Sequence, residues 1–192
     1  PPISSYPINL SALKKILIKA DNTNLTANCL EKINEIQKVL DTQLYNSISR
    51  IGFQTERPDI YFQNLSKRQT DKPHLYFSNT SVKDTFAYKI SLQIFDNETR
   101  FDESYFAYYF NNHVLTIGRT SRWWSPSFDS SLILSNSARP SPGISFTNYN
   151  PKIIQSKYFS FLGPINYEFF INKLEEDRYV PNALLFGNRV SI

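Results

Sequence analysis

The chain changes its hydrophobic period near Tyr45. Before that point apolar residues recur every three or four positions, which predicts two amphipathic helices, one from Asn9 and one from about Leu25 to Tyr45. Two short amphipathic helices cannot bury their stripes on each other, so we expect them to pack on a further surface. The apolar stripes are Leu10, Leu13, Leu17 and Ala20 in the first helix, and Cys29, Ile33, Ile36, Leu40 and Leu44 in the second.

Beyond Tyr45 apolar and polar residues alternate, which is the pattern of strands with two different faces. The clearest segment is Thr85–Phe95, and the turn sequence after it predicts a hairpin with Phe101–Phe110. Asn111-Asn112 then predicts a tight turn into His113–Thr120. The other candidate strands are Ile51–Phe53, His74–Asn79, Ile144–Tyr149, Ile165–Leu174 and Leu184–Ile192.

Alternating strands of this length fit two architectures. Strands of about 9 to 11 residues joined by short turns are the signature of a transmembrane β-barrel. The strands of an antiparallel sandwich alternate as well. Lys89, Glu168 and Arg189 on the polar faces suit the solvated surface of a sandwich and the wet lumen of a barrel equally. Periodicity therefore leaves both architectures open.

Composition narrows the functional classes. No run of about 20 apolar residues exists, so no transmembrane helix is expected. The formal charge of +4 is dispersed along the chain and predicts no nucleic-acid partner. The single Cys29 excludes an internal disulfide and is expected to be a small buried apolar residue. There is no Met, and Ile192 lies within an alternating run, so we expect a trimmed or partial chain.

Candidate catalytic chemistry is sparse. His74 and His113 are the only histidines, so neither a metal site nor a cofactor is expected, and His113 is interpreted as a turn or strand-edge residue. The acidic run Glu175-Glu176-Asp177 is interpreted as a polar loop with local ion pairs. An enzyme acting on polysaccharide remains as an alternative that rests on this run alone. We expect no catalytic residues and no enzymatic activity.

The stretch from Arg119 to Pro142 concentrates the residue types that bind sugars. Both tryptophans lie in it, and aromatic rings stack on sugars while Arg, Asp and Asn groups bond the hydroxyls. The alternative is that the tryptophans pack a long loop and the arginines pair with Asp129 or with Glu175–Asp177. The candidate residues for carbohydrate binding or for structuring the loop are Arg119, Arg122, Trp123, Trp124, Asp129, Asn136 and Arg139.

Several separate motifs occur in an order that resembles the Wzi family of capsule-assembly proteins, densely from about Val114 to Ile192. Before that, Ser4–Ile8 and the predicted helices are similar to the N-terminal helical region of that family. The motifs are Arg122 to Pro126, Ser130 to Pro140, Pro142 to Ser145, Phe161 to Pro164, Leu174 to Arg178, Val180 to Asn182 and Leu185 to Arg189.

The resemblance implies a mainly β chain with N-terminal α-helices, forming part of an antiparallel transmembrane β-barrel of about eighteen strands. Residues 1–46 would be a periplasmic helical region, and residues 47–192 the first barrel strands with a long connection over 119–143. It implies a monomeric, non-catalytic, lectin-like protein of the bacterial outer membrane, with capsular polysaccharide and outer-membrane lipid as partners. A soluble periplasmic or secreted β-sandwich that binds carbohydrate is the alternative.

Overall fold

The computed structural model describes residues 5–6, 17, 26–43, 46–55, 72–125, 134, 139–148, 152–153, 158 and 163–191. The described helix is α1 (Ala27–Gln43), where the sequence pattern predicted the second helix. The strands are β1 (Ser5–Tyr6), β2 (Ser47–Gln54), β3 (His74–Val82), β4 (Phe86–Ile94), β5 (Thr99–Arg100), β6 (Tyr105–Phe110), β7 (His113–Arg119), β8 (Trp123–Trp124), β9 (Pro142–Asn148), β10 (Lys152–Ile153), β11 (Pro164–Lys173) and β12 (Leu184–Ser191).

One antiparallel sheet of ten strands dominates the described part of the chain. Its long strands follow the order β2-β3-β4-β6-β7-β9-β11-β12, so each pairs with the next long strand along the chain. Short β5 pairs with β4 and short β10 with β11. The mainly β, antiparallel prediction is confirmed, because alternation and turn chemistry together specify a meander.

The apolar face of this sheet is exposed and its polar face is covered, which is the reverse of the arrangement in a soluble β-protein. Ile117, Ile144 and Ile171 lie in register on one face, and each is about half exposed. A sandwich would bury such a face against a second sheet, so this arrangement favours the barrel interpretation. The opposite face is polar, and Ser91, Gln93, Ser145 and Asn172 are buried there.

Helix α1 packs on the polar face through its C-terminal half. Leu40 is buried in a cluster with Val82, Ala87, Ala107 and Val114. The alanines of β4 and β6 leave room for the helix, and Leu17 of the predicted first helix also packs there. The rest of the predicted first helix lies outside the described residues. Among the described residues, no helix is long and apolar enough to cross a membrane.

The predicted apolar stripe of α1 is only partly correct. Cys29 is exposed, so the expectation that it is buried was wrong. Ile36 is 44% exposed, whereas Leu40 is 3% exposed. Leu40 is the helix residue that joins the buried cluster with the sheet, and periodicity cannot indicate how much of a helix is covered.

The sheet has two unlike ends. At one end β3 and β4 are joined through 83–85 and β6 and β7 through 111–112, and we call it the short-turn end after these two turns; the connection from β9 to β11 also lies there. At the other, the loop end, lie the connections after β2, β4, β7 and β11. Strand β6 begins at Tyr105 rather than at Phe101, which corrects the predicted hairpin. Residues 101–104 form a turn in which Ser104 N donates to Phe101 O at 3.3 Å and Glu103 has a φ of 65°.

Candidate functional site

The two tryptophans form a strand that the alternation did not predict. Trp123 and Trp124 make up β8, which pairs antiparallel with β1 in the registers Tyr6–Trp123 and Ser5–Trp124. Trp123 is 1% exposed and Trp124 is 8% exposed. The backbone N–H of Trp124 also donates to the carbonyl of Leu134 at 3.3 Å. The tryptophan pair is therefore buried beneath other parts of the chain.

Glu168 of β11 joins this strand to the polar face of the sheet. Its Oε1 accepts from Nε of Arg122 at 2.8 Å, and its Oε2 accepts from the indole Nε1 of Trp124 at 3.0 Å. The Arg122 side chain is 7% exposed, so the ion pair is desolvated on the arginine side. A buried pair of this kind is costly to break because the remaining charge loses its partner.

Phe170, two residues further along β11, supports the same group. The Arg122 guanidinium carbon lies 4.6 Å above its ring centroid, and the Trp124 ring meets it edge-on with centroids 5.5 Å apart. Strand residues two apart point to the same face, so β11 presents a carboxylate and a ring side by side. Gly187 is the register partner of Phe170 on β12 and leaves space for the ring.

A second network lies at the loop end around Arg139. Nε and one terminal nitrogen of Arg139 donate to the two oxygens of Asp102 at 3.0 and 3.2 Å. The other terminal nitrogen lies 3.8 Å from Oε2 of Glu98, whose Oε1 also bonds Arg100. The bond to Asp102, aided by the charges of Asp102 and Glu98, raises the pKa of Arg139 despite desolvation. The bond from Arg100 lowers the pKa of Glu98.

Glu103 ties the turn after β5 to the start of the connection. Its carboxylate accepts from both the hydroxyl and the backbone N–H of Ser121, and Nζ of Lys89 lies 3.8 Å away. The backbone N–H of Arg119 donates to Ser104 O at 2.7 Å. The Arg119 guanidinium reaches Pro140 O at 3.5 Å, which bridges the two ends of the connection.

The predicted residues are therefore distributed over three places. Arg122, Trp123 and Trp124 lie together in the interior, Arg139 belongs to the Asp102 network, and Arg119 ends β7. Asp129 and Asn136 lie outside the described residues. The alternative in which the arginines pair with acidic residues describes two of them, although the hydrogen-bonded partners are Glu168 for Arg122 and Asp102 for Arg139. Glu175 acts on Arg139 through its charge alone.

The polar loop interpretation of Glu175–Asp177 is confirmed by its local contacts. Two nitrogens of Arg178 donate to Glu175 at 3.2 and 3.1 Å. The loop is closed by Leu174 N donating to Ala183 O at 2.8 Å and Asn182 N to Glu175 O at 3.3 Å. Tyr179 within it is fully exposed (103%), a feature that sequence reasoning overlooked. In the sequence, this exposure is indicated by the charged run Glu175–Arg178 that directly precedes Tyr179.

Several described acidic groups are partners of cations. Glu168, Asp102 and Glu175 each hold an arginine, an arrangement suited to positioning segments. Within the described ranges, no group of three or more His, Cys, Asp or Glu residues is arranged to hold a metal ion.

His113 begins β7 and pairs with Phe110 across the tight turn, which confirms its interpretation as a strand-edge residue.

Comparison with known proteins points in one direction. The chain is similar over 95 residues to a Klebsiella pneumoniae protein described as an uncharacterized 55.8 kDa protein in the cps region, with 27% identity. That match covers 48% of this chain and 19% of the Klebsiella protein.

A solved structure of Wzi from Escherichia coli, an outer-membrane protein described as a carbohydrate-binding β-barrel involved in group 1 capsule assembly, superposes with a TM-score of 0.80. The identity is 18%, and the alignment covers 98% of this chain and 44% of that one. This likeness shows that the chain has the fold of part of that barrel. The chain spans less than half the length of either relative.

The family model described as capsule assembly protein Wzi matches residues 43–192, which include the ten-stranded sheet, the Trp123–Trp124 strand and both arginine networks. The chain therefore belongs to the Wzi capsule assembly protein family.

Proposed function

We propose that this chain is part of a non-catalytic outer-membrane β-barrel that binds capsular polysaccharide and organises it at the surface of a bacterium. The observation that carries the proposal is the outward-facing apolar side of a sheet whose other side buries polar groups. An exposed apolar face of this kind is favourable in lipid. Along each strand of a membrane barrel, apolar residues that face lipid alternate with polar residues that face the lumen. Membership of the Wzi capsule assembly protein family is the reason for proposing capsular polysaccharide as the ligand.

The orientation follows from the two ends of the sheet. Outer-membrane barrels have short periplasmic turns and longer extracellular loops. The loop end would therefore face outward, and the short-turn end, where Leu40 of α1 packs, would face the periplasm. This supports an organisation in which residues 1–46 form a periplasmic helical region and residues 47–192 supply strands of a monomeric barrel surrounded by outer-membrane lipid.

The buried and exposed aromatic residues would have separate tasks. Trp123, Trp124 and Arg122 would fix the connection inside the lumen, since Arg122 and Trp124 are bound to Glu168 and Trp123 is buried. Sugar rings would instead stack on exposed aromatic rings at the loop end. Tyr179 is fully exposed and Phe101 is 54% exposed there. Arg178, beside Tyr179, would bond sugar hydroxyls or carboxylates.

The proposal can be tested by comparing two exposed tyrosines at opposite ends of the barrel. In the full-length protein, Tyr179→Ala should weaken binding of purified capsular polysaccharide roughly three- to tenfold, the scale of one lost stacking contact. Tyr158→Ala is the matched control, because Tyr158 is 76% exposed but lies in the connection from β9 to β11 at the short-turn end.

Binding unchanged by Tyr179→Ala, or weakened equally by both variants, would contradict the proposed site. Recovery of the full-length protein in the soluble fraction, with normal capsule retention in cells that lack it, would contradict the function itself. That result would favour the carbohydrate-binding sandwich.

A further inference from the structure

Two segments that come from opposite ends of the sheet pair with each other. Strand β8 belongs to the long connection between β7 and β9, which leaves β7 at the loop end after Arg119. Strand β1 belongs to the N-terminal region, whose Leu17 packs with Leu40 of α1 near the short-turn end. The β1–β8 pair, with Tyr6 opposite Trp123, therefore joins the connection to the N-terminal region.

The meeting point lies deep on the polar face of the sheet. Glu168, which holds Trp124, is the register partner of Thr147, and Thr147 is the register partner of Val114. Val114 belongs to the buried cluster that α1 joins. Arg119, where β7 ends, lies about 17 Å along the strand from Val114. The connection thus descends from the loop end to a carboxylate in the same cross-strand row as the α1 cluster.

The two strands of the ribbon are held unequally. Trp124 has three contacts that do not involve β1: its indole donates to Glu168 at 3.0 Å, its backbone N–H donates to Leu134 O at 3.3 Å, and its ring meets Phe170. Strand β1 pairs with β8 over two residues, which provides few backbone hydrogen bonds. The position of β1 therefore depends on β8 more than the position of β8 depends on β1.

A short rigid link leads from β1 to the cluster at α1. The sequence predicts a helix that begins at Asn9, and about eight residues of helix from there to Leu17 rise about 12 Å. The rows of β7 and β11 are two strand spacings apart, or about 10 Å. A helix of nearly that length leaves little slack, so a displacement of β1 would reach Leu17 and, through the shared cluster, Leu40.

We propose that β1 couples the long connection to the periplasmic helical region, so that movement of β8 in the lumen is transmitted through β1 to α1. Capsule bound at the loop end would thereby change the surface that α1 presents, on which Ile36 and Val39 are 44% and 55% exposed. The inference rests on the proposed function for its orientation and ligand, and adds a communication route between the two ends of the barrel.

The coupling can be tested first without polysaccharide, by amide hydrogen exchange of the full-length protein in phospholipid vesicles. Glu168→Gln weakens the anchor of β8 and should accelerate exchange over residues 33–40 of α1 several-fold. Tyr6→Pro removes a backbone N–H and disrupts β1, so it should accelerate exchange there by itself. In the double variant, Glu168→Gln should add no further acceleration, because its route to α1 is already broken.

Two controls separate coupling from general loss of stability. Tyr6→Phe preserves the strand backbone and should leave both the exchange of α1 and its response to Glu168→Gln unchanged. Residues 75–82 of β3 pair with β2 and β4, far along the sheet from β11, and their exchange should stay constant in every variant. Additive acceleration over 33–40 by Tyr6→Pro and Glu168→Gln would overturn the coupling.

Purified capsular polysaccharide provides the second arm of the test. Its addition should alter exchange over residues 33–40 in the unmodified protein and in Tyr6→Phe, but not in Tyr6→Pro, which should still bind it. An equal response in Tyr6→Pro would overturn the coupling while leaving the proposed function intact. Failure of the unmodified protein to bind the polysaccharide would contradict the proposed function, and the comparison of Tyr6→Pro with Glu168→Gln would still decide the coupling.

Discussion

The indole N–H of Trp124 donates to Oε2 of Glu168 across 3.0 Å, although the two residues are 44 positions apart in the chain. The other oxygen of Glu168 holds Arg122, whose side chain is nearly inaccessible to solvent. One carboxylate of a sheet strand therefore fixes both a ring and a cation of the long connection. The stability of that connection should depend on this single group.

Replacing Glu168 by its neutral isostere should show how much the ion pair with Arg122 stabilises the protein. Glu168→Gln keeps the shape of the side chain but leaves the Arg122 guanidinium buried without its counter-charge. We expect the free energy of unfolding to fall by about 3 kcal/mol, the scale for breaking a buried pair. Urea unfolding of the full-length protein in vesicles measures this change.

Glu35→Gln is the matched control for that substitution. Glu35 pairs with Lys32 on the exposed face of α1, where the two side chains are 58% and 65% exposed. Its loss should cost less than about 1 kcal/mol. Equal effects of the two substitutions would mean that Glu168 is better solvated than its contacts indicate.

The hydrogen bond from Trp124 predicts energetic coupling with Glu168. Trp124→Phe keeps a ring against Phe170 but removes the Nε1 donor. The double variant with Glu168→Gln should be more stable than the sum of the single effects predicts, by about 1 kcal/mol. Trp124→Phe combined with Glu35→Gln should be additive, and additivity in both cycles would argue against the bond.

Gly118 should tolerate no side chain. Its φ is +138°, and a Cβ built on it would lie 2.4 Å from the carbonyl oxygen of Ser104, which is rigid backbone. We expect Gly118→Ala to lower the free energy of unfolding by more than about 3 kcal/mol, because strain and overpacking add. Gly163→Ala isolates the strain. Its φ is +73° with nothing within 4 Å of the added Cβ, so a cost of about 1 kcal/mol is expected.

Acid should loosen the loop end through Glu98. Its folded-state pKa is lowered below the ordinary 4.5, chiefly by the hydrogen bond from Arg100. A carboxyl group whose pKa is lower in the folded than in the unfolded protein stabilises the fold when the pH is above its unfolded-state pKa. That stabilisation is lost as the pH falls through the folded-state pKa. Its hydrogen bond to Asp102 raises the pKa of Arg139, so that arginine stays charged and contributes no change in this window.

Amide hydrogen exchange over residues 95–104 tests this expectation. Protection should decrease between about pH 6 and about pH 3, after correction for the intrinsic exchange rate. The Glu98→Gln variant should lack this decrease. A decrease of the same size in that variant would assign the acid response to another group.

The sequence by itself determined most of the long strands and the alternation of their two faces. Period-two alternation placed β4 and β11 to within a residue or two, and the Asn111-Asn112 turn specified the β6–β7 pairing. These features are local, because side-chain alternation and turn preference act within a few residues. The family motifs were equally local, since each is a short run of neighbouring residues.

Only the tertiary structure decided which face of the sheet is covered and what the tryptophans contact. The same alternation serves a sandwich and a barrel, and the choice depends on what lies against each face. Trp124 meets Glu168 because the connection folds back onto a strand formed much later in the chain. The sequence singled out the Trp123–Trp124 stretch, but strand register assigned Glu168 as the group that holds it, because register is a long-range property of the assembled sheet.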